Sequence, residues 1–227
     1  NQTALMFVYY LITRWKELGK IQGKEYIVKT IVTTETIKTI ADRNGVGFYD
    51  VYTGFKWIAN VMKQNEGKLK YIGGGEESYG FLCEDFVRDK DAVSACAVLA
   101  EIAAWAKDQG MTMYQLLQKI YVEYGFSKEK GISVVKKGKS GAEEIEAMMK
   151  HFRENPLKEI AGSKVTAFYD YSTLKGIDYL ENETLTLDMP VTSNVLQFFT
   201  EDGTKVSIRP SGTEPKIKFY CEVHSKV

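Results

Sequence analysis

The 227-residue chain reads as an α/β protein in two parts, a three-layer α/β/α domain with a mostly parallel sheet followed by a smaller α+β domain with an antiparallel sheet. Three observations predict this. Short β-branched and aromatic runs alternate with amphipathic segments through roughly the first hundred residues, the rhythm of a parallel sheet covered on both faces. From Phe126 onward the pattern changes to strand-prone runs separated by turn residues, with Asp202-Gly203 as a hairpin turn. The length is about one and a half times a ~150-residue domain, room for one large domain or two small ones.

Taken in order, residues 4–18 form the first expected helix, with Leu5, Tyr9, Ile12 and Trp15 on one face and Gly19 at its end. Its apolar start, ALMFVYYLI, is about half a membrane span and runs into Arg14 and Lys16, so it predicts a buried helix. A strand over 26–32, a helix over 35–42 closed by Asn44-Gly45, a strand over 46–51, a helix over 53–63 and a strand over 70–72 follow. Residues 89–108 are the longest helical stretch, Ala-rich, with Asp89 and Asp91 at its positive end and Gly110 beyond it. Thr112 opens another amphipathic helix. The domain boundary is expected near 108–112, giving domains 1–110 and 111–227. In the second, a charged strand-prone stretch over 126–139 leads to a helix over 142–154 stopped by Pro156. Strands over 164–170, 184–188, 195–200, 204–208 and 217–224 complete it.

Thirty basic residues balance thirty acidic ones. That balance removes the long-range attraction of a generic nucleic-acid binder or a peripheral membrane protein, so neither partner is expected. Cys83, Cys96 and Cys221 form no CxxC pair and offer neither a zinc knuckle nor a disulfide framework. With no basic leader and no small-residue cleavage site in view, the expected compartment is the reducing cytoplasm. The chain starts at Asn1 without an initiator methionine, and the expectation is a piece of something longer.

Two segments could carry chemistry. Gly73-Gly74-Gly75-Glu76-Glu77-Ser78-Tyr79-Gly80 follows the 70–72 strand, and three glycines are costly unless the chain must turn tightly or approach a ligand closely. Placed at the ligand-binding edge of a parallel sheet, its two carboxylates and hydroxyl suit the vicinal hydroxyls of a sugar. The same residues also fit a Gly-rich turn with solvated acids. Arg209-Pro210-Ser211-Gly212-Thr213-Glu214-Pro215 lies between two strands and supplies a guanidinium fork, two hydroxyls and a glycine amide, with Lys216 and Lys218 nearby. That set matches an anion nest, or else a hydrophilic hairpin. It is not a P-loop, because GxxxxGK[ST] is absent.

Lys56 and Lys90 lie near helix starts and could reach a phosphate or sugar oxygen, although most surface lysines are simply solvated. His151 and His224 have no partner pattern for metal binding or nucleophile activation. Glu143, Glu144 and Glu146 beside Lys150 form a solvated helix face, and Asp42, Asp50 and Asp85 are not spaced as a metal motif, so no metal site is expected.

With these two loops at this separation, nearly the whole chain resembles the C-terminal half of the alpha-D-phosphohexomutase family, the third and fourth of four domains. The family includes phosphoglucomutase and phosphomannomutase, isomerases of carbohydrate metabolism that move a phosphoryl group between the 1 and 6 positions of a hexose. By this resemblance Gly75-Glu76-Glu77-Ser78 is the sugar-recognition loop, with Glu76 and Ser78 holding hydroxyls and Glu77 in support. Arg209, Ser211, Gly212, Thr213 and Lys218 form the phosphate-binding loop. Relatives commonly have arginine at the position of Lys218, and lysine keeps the charge but loses the bidentate fork. Arg88-Asp89-Lys90-Asp91 resembles the segment whose lysine reaches the site, and Thr53-Gly54-Phe55-Lys56 resembles the loop of the phosphoglucomutase branch.

The resemblance also implies what is missing. The family's phosphorylated serine sits in a Ser-His-Asn-Pro context and its magnesium in an Asp-x-Asp-x-Asp-Arg loop, and neither occurs here. Catalytic residues are therefore expected in two N-terminal domains outside this sequence. The fragment alone should be an inactive sugar-phosphate-binding piece of a cytoplasmic phosphoprotein that uses Mg2+ and a hexose 1,6-bisphosphate intermediate. The alternatives are a phosphopentomutase of the same family or a non-catalytic sugar-phosphate-binding module.

Overall fold

The computed structural model describes residues 1–136, 138–212 and 214–225, without the side chain of Lys139. The chain divides into two units, Asn1–Phe126 and Ser127–Ser225. In the first, the order is α1 (Gln2–Glu17), β1 (Glu25–Thr30), α2 (Thr36–Arg43), β2 (Gly47–Val51), α3 (Phe55–Asn65), β3 (Lys70–Gly75), β4 (Phe81–Cys83), α4 (Ala92–Asp108) and α5 (Met113–Tyr124). The sheet runs β2-β1-β3-β4. Strands β2 and β3 pair with β1 in parallel, and β4 is an antiparallel edge.

Side chains along a strand alternate between faces, and β1 uses that alternation to build both outer layers. Ile27 joins Leu5 and Ile12 of α1, Ile40 of α2, Ile72 of β3, Ile102 of α4 and Leu116 and Ile120 of α5 in one core. Tyr26 and Val28 join Ile58 and Met62 of α3, Tyr71 and Leu82 in the other. Each fully buried Leu or Ile contributes roughly 1.5–3 kcal/mol, so both helix layers are held chiefly by these stripes. The boundary falls after Phe126 rather than at 110/111 because α5 buries Leu116 and Ile120 in the α1 core, and Tyr124 meets Tyr9 edge-on at 6.0 Å. Caps define the helices flanking the 109–112 turn. Asp91 accepts from the Val93 and Ser94 amides at the start of α4, and Thr112 forms a capping box with Gln115 at the start of α5.

The second unit contains β5 (Phe126–Val135, its first residue closing the preceding unit), α6 (Gly138–Glu154), β6 (Glu159–Ile160), β7 (Ser163–Asp170), β8 (Lys175–Asp178), β9 (Glu183–Thr186), β10 (Leu196–Thr200), β11 (Lys205–Pro210) and β12 (Lys216–Ser225). The sheet runs β5-β12-β11-β10-β7-β8-β9, and β7 pairs antiparallel with β8 and β10, as does β11 with β10 and β12. Ile145 and Met149 of α6 pack on Val165, Phe168, Leu196, Phe198, Ile208 and Ile217, one face of that sheet.

Three strands were not expected from sequence: β4, only three residues long, β6, only two, and β8, whose Lys-Gly-Ile-Asp lacks a β-rich run. A further correction concerns the glycine run. Gly73, Gly74 and Gly75 are the last residues of β3, buried inside the sheet, and not part of a loop. The reason is close approach of backbone. A Cβ at Gly74 would lie 2.2 Å from the Val28 carbonyl oxygen, and one at Gly75 would lie 2.4 Å from that of Gly80. The loop proper is therefore short, Glu76 to Gly80.

Candidate functional site

In the first unit, the parallel strands end their C-terminal edge at the turn Glu76–Gly80, which joins β3 to β4. The turn is closed by the Glu76 amide donating to the Gly80 carbonyl at 2.7 Å. Its tip is Tyr79, with φ +72° and 89% exposed. The Glu76 carboxylate points back toward α3, where Oε1 accepts from the Gly54 amide at 2.7 Å. Gly54, with φ +113°, is the N-cap residue of α3, so Glu76 also sits at the positive end of that helix. Glu77 Oε2 accepts from Thr30 Oγ1 at 3.4 Å, and Thr30 shares a 2.8 Å hydroxyl contact with Thr33. Ser78 is exposed.

The lysines divide. A Cβ at Gly80 would meet Lys90 Cδ at 3.0 Å and Glu76 Oε2 at 3.1 Å, so Lys90 and Glu76 flank the same glycine. Lys90 Nζ lies 3.2 Å from Asp89, whose carboxyl is held below its usual range by the Lys90 amide and ammonium. Lys56 is exposed on the first turn of α3, with Nζ 5.0 Å from the Trp57 ring centre. The structure thus gathers Glu76, Gly54, Gly80 and Lys90, and leaves Lys56 and Ser78 pointing to solvent beside them.

Sequence reasoning overlooked what supports this turn. Lys29 on β1 is fully buried, in register with Gly75 on one side and Asp50 on the other. Its Nζ lies 2.7 Å from Asp50 and 3.0 Å from Glu35, which ties the ends of β1 and β2 to the start of α2. Burial alone would push the ammonium down; the Asp50 and Glu35 charges more than reverse this and hold it protonated above its ordinary value. Partners this distant in sequence leave no local signal beyond a lysine inside a β-branched run.

In the second unit, Arg209 on β11 stands opposite Lys218 on β12, one position before the paired Pro210 and Ile217. The hairpin between them is fixed by the Ser211 amide donating to the Lys216 carbonyl at 2.8 Å and the Lys216 amide donating to the Glu214 carbonyl at 2.7 Å. Arg209, Ser211, Gly212 and Lys216 border an open hollow of about 520 Å³ whose far wall is α6. The Lys216 ammonium is paired with Glu214 and holds that carboxyl below its usual range. Among the described residues Arg209 makes no ion pair or hydrogen bond, and Lys218 lies 5.9 Å from the Tyr220 ring centre and acts on the Glu214 carboxyl through its charge, without an ion pair or hydrogen bond of its own. Thr213 lies outside the described residues.

Neither unit shows a metal-holding cluster: among the described residues no three His, Cys, Asp or Glu side chains gather suitably. Nor is any helix long and apolar enough to cross a membrane.

Comparison with known proteins agrees with this layout. Residues 1–124 match the phosphoglucomutase/phosphomannomutase alpha/beta/alpha domain III, and residues 133–227 match the C-terminal domain of the same family. The phosphoglucomutase of Staphylococcus aureus strain MRSA252 is 38% identical over 223 residues, covering 98% of this chain and 39% of that protein. The phosphoglucomutase of Staphylococcus haemolyticus is 33% identical over 99% of this chain and 40% of its own length. The chain therefore spans about two fifths of the relatives it matches. Among solved structures, the open form of parafusin, a phosphoglucomutase from Paramecium, shares the fold with a TM-score of 0.62 at 18% identity, covering 99% of this chain and 36% of its own. A Thermus thermophilus protein described as a putative phosphomannomutase does so with 0.62 at 17%, covering 99% and 36%. With both of its units matched in order, the chain belongs to the phosphoglucomutase/phosphomannomutase family, as its third and C-terminal domains.

Proposed function

We propose that this chain is the sugar-phosphate-binding C-terminal part of a phosphohexomutase, of the phosphoglucomutase branch ahead of the phosphomannomutase branch. The observation that carries the reading is Arg209, a guanidinium with no counter-charge among the described residues, at the edge of a hollow beside a glycine amide and a serine. A half-buried arginine fork presented in this way is suited to a phosphate ester, with bidentate hydrogen bonds from the fork and further charge from Lys218. The Gly212 amide is the second donor, since the Ser211 amide is used within the hairpin.

The Glu76 turn supports the sugar half of the reading. A carboxylate anchored at one oxygen by the Gly54 amide keeps its other oxygen to accept from a sugar hydroxyl without paying to order itself. Ser78 offers a hydroxyl on the same turn, Glu77 steadies the turn through Thr30, and Lys90 and Lys56 supply cations beside it. In the parent, phosphoserine would donate to the bound monophosphate and Mg2+ would neutralise developing charge. In this reading the Mg2+ ligands and the serine are assigned to the preceding domains of the parent. The fragment alone binds, positions and is inactive. The parent interconverts hexose 1-phosphate and hexose 6-phosphate in the cytoplasm, through a hexose 1,6-bisphosphate.

The test is calorimetric titration with glucose 1-phosphate, mannose 1-phosphate and ribose 1-phosphate against inorganic phosphate. Weak binding that depends on the sugar is expected. Glu76→Ala should weaken sugar phosphates and spare inorganic phosphate, and equal losses for both would make Glu76 a structural residue only. No binding of any ester at millimolar concentration would overturn the reading for this chain.

A further inference from the structure

Helix α4 departs from the pattern of a surface helix, which normally turns charged or polar residues to water. Between Ala92 and Ala106 its only charged residue is Glu101, and that carboxylate accepts from the Tyr10 hydroxyl of α1. Only Ile102 and Ala106 are buried. Val93 is 81% exposed, and Cys96, Ala97, Ala100, Ala103 and Ala104 are exposed with it. Spacings of three and four residues place these on one helix face. An apolar stripe this long, open to water, carries a standing cost of hydration.

The stripe continues into a groove of about 360 Å³ between the first turns of α1 and α4 and the Glu76 turn. Phe7, Leu99, Tyr79 and Cys96 line it, with Glu76 at one edge and Asn1 at another. Asn1 is itself pinned there, its Oδ1 accepting from the Thr34 amide at 3.0 Å. Polypeptide joined to Asn1 would therefore emerge at the rim of the groove. The S. aureus relative continues well beyond the matched region, which is 39% of its length, and the matched domains are the third and the C-terminal one.

We propose that the exposed face of α4 and the adjoining groove form the docking surface for the domain that precedes residue 1 in the parent, and that this domain meets it with an apolar, uncharged surface. Attachment at the rim makes the contact intramolecular, so a modest patch suffices. Docking there also places the preceding domain against the Glu76 turn. The inference rests on the reading of the chain as part of a longer phosphohexomutase, but its test uses no sugar phosphate.

The experiment fuses the portion of S. aureus phosphoglucomutase that precedes the match to Asn1 and follows maleimide modification of Cys96 by peptide mapping, in the fusion and in the chain alone. Cys96 is an exposed free thiol and Cys83 a buried one, which serves as the internal reference. In the fusion, Cys96 should react at least about tenfold more slowly than in the chain alone. The double variant Ala97→Glu/Ala100→Glu, both on the exposed face, should restore the fast rate while leaving sugar-phosphate titration of the chain alone unchanged. Amide hydrogen exchange along α4 gives the same readout without any substitution, with slower exchange expected in the fusion. Equal Cys96 rates and equal α4 exchange in the two proteins would overturn the proposal. So would protection of Cys96 in the chain alone that grows with its concentration, because the occupant would then be a second copy. Loss of sugar-phosphate binding with Cys96 still protected would count against the functional reading and not against the docking surface.

Discussion

The Glu76 turn and the Arg209 hairpin present opposite electrostatic situations. At the turn every charge that positions the chain is already answered within the protein: Glu76 by the Gly54 amide, Lys29 by Asp50 and Glu35, Lys90 by Asp89. At the hairpin one cation, Lys216, is answered by Glu214, while Arg209 and Lys218 face each other across two strands with no anion bonded to either among the described residues. Two like charges opposite one another on a β ladder cost stability, so this pair weakens the hairpin rather than holding it together. The difference is that the charges shaping the turn are answered within the protein while two cations at the hairpin are not, among the described residues, and the two regions can be separated experimentally on that basis.

The largest expected effect is on stability in the first unit. Lys29→Met leaves Asp50 and Glu35 without their buried cation, and a loss of about 3 kcal/mol in urea unfolding is expected, at the low end for a broken buried pair because both acids can regain water. Arg209→Ala, in contrast, should move the unfolding midpoint by less than about 0.5 kcal/mol. If the two substitutions destabilise equally, the distinction between the regions collapses. Next comes Gly75→Ala, which must displace the Gly80 carbonyl oxygen and should cost about 1–3 kcal/mol while disordering the Glu76 turn; unchanged stability would mean that the backbone contact is not tight.

Binding effects follow. Arg209→Ala should weaken a phosphate ester by about 1–3 kcal/mol in titration, and unchanged affinity would remove Arg209 from the site. Lys218→Arg sharpens the point by restoring a fork, with a gain of up to about 1 kcal/mol expected if Lys218 touches phosphate and none if it only stacks on Tyr220.

The smallest effect is a pH response at the β10–β11 turn. The Asp202 carboxyl, accepting from Thr200 and from the Thr204 amide, is lowered to about 2. Because the folded value lies below the ordinary ~3.9, its contribution is fully present above that value and is lost as the pH falls through about 2. A carboxyl resonance titrating near 4 in NMR would contradict the turn geometry.

Residues whose role is set by near neighbours were legible in the sequence. The acidic start of α4, Thr112 at the start of α5, the amphipathic stripes of α1 and α5 and the Asp202-Gly203 turn all follow from spacing within a few positions, although the sequence put Asp91 inside the helix that it in fact caps. So did the two candidate loops, since Gly-Glu-Glu-Ser and Arg-Pro-Ser-Gly-Thr are contiguous. The glycine run was readable as unusual but not as strand, because what forbids a side chain at Gly74 is the Val28 carbonyl, which comes from another strand. The domain boundary failed for the same reason. Helix α5 is amphipathic in either assignment, and only its packing on α1 decides which unit owns it.

The sequence by itself determined the alternation of elements, the change of character after Phe126, the balance of charge and the two polar loops, all of which are local or compositional. Tertiary structure alone decided that Lys29 is a buried cation serving the strand ends, that Gly54 holds Glu76, that Arg209 stands unanswered opposite Lys218, and that α4 turns an apolar face to water. Each of these depends on which distant group arrives at the other side of a contact, and burial and charge compensation are properties of the pair, not of either residue.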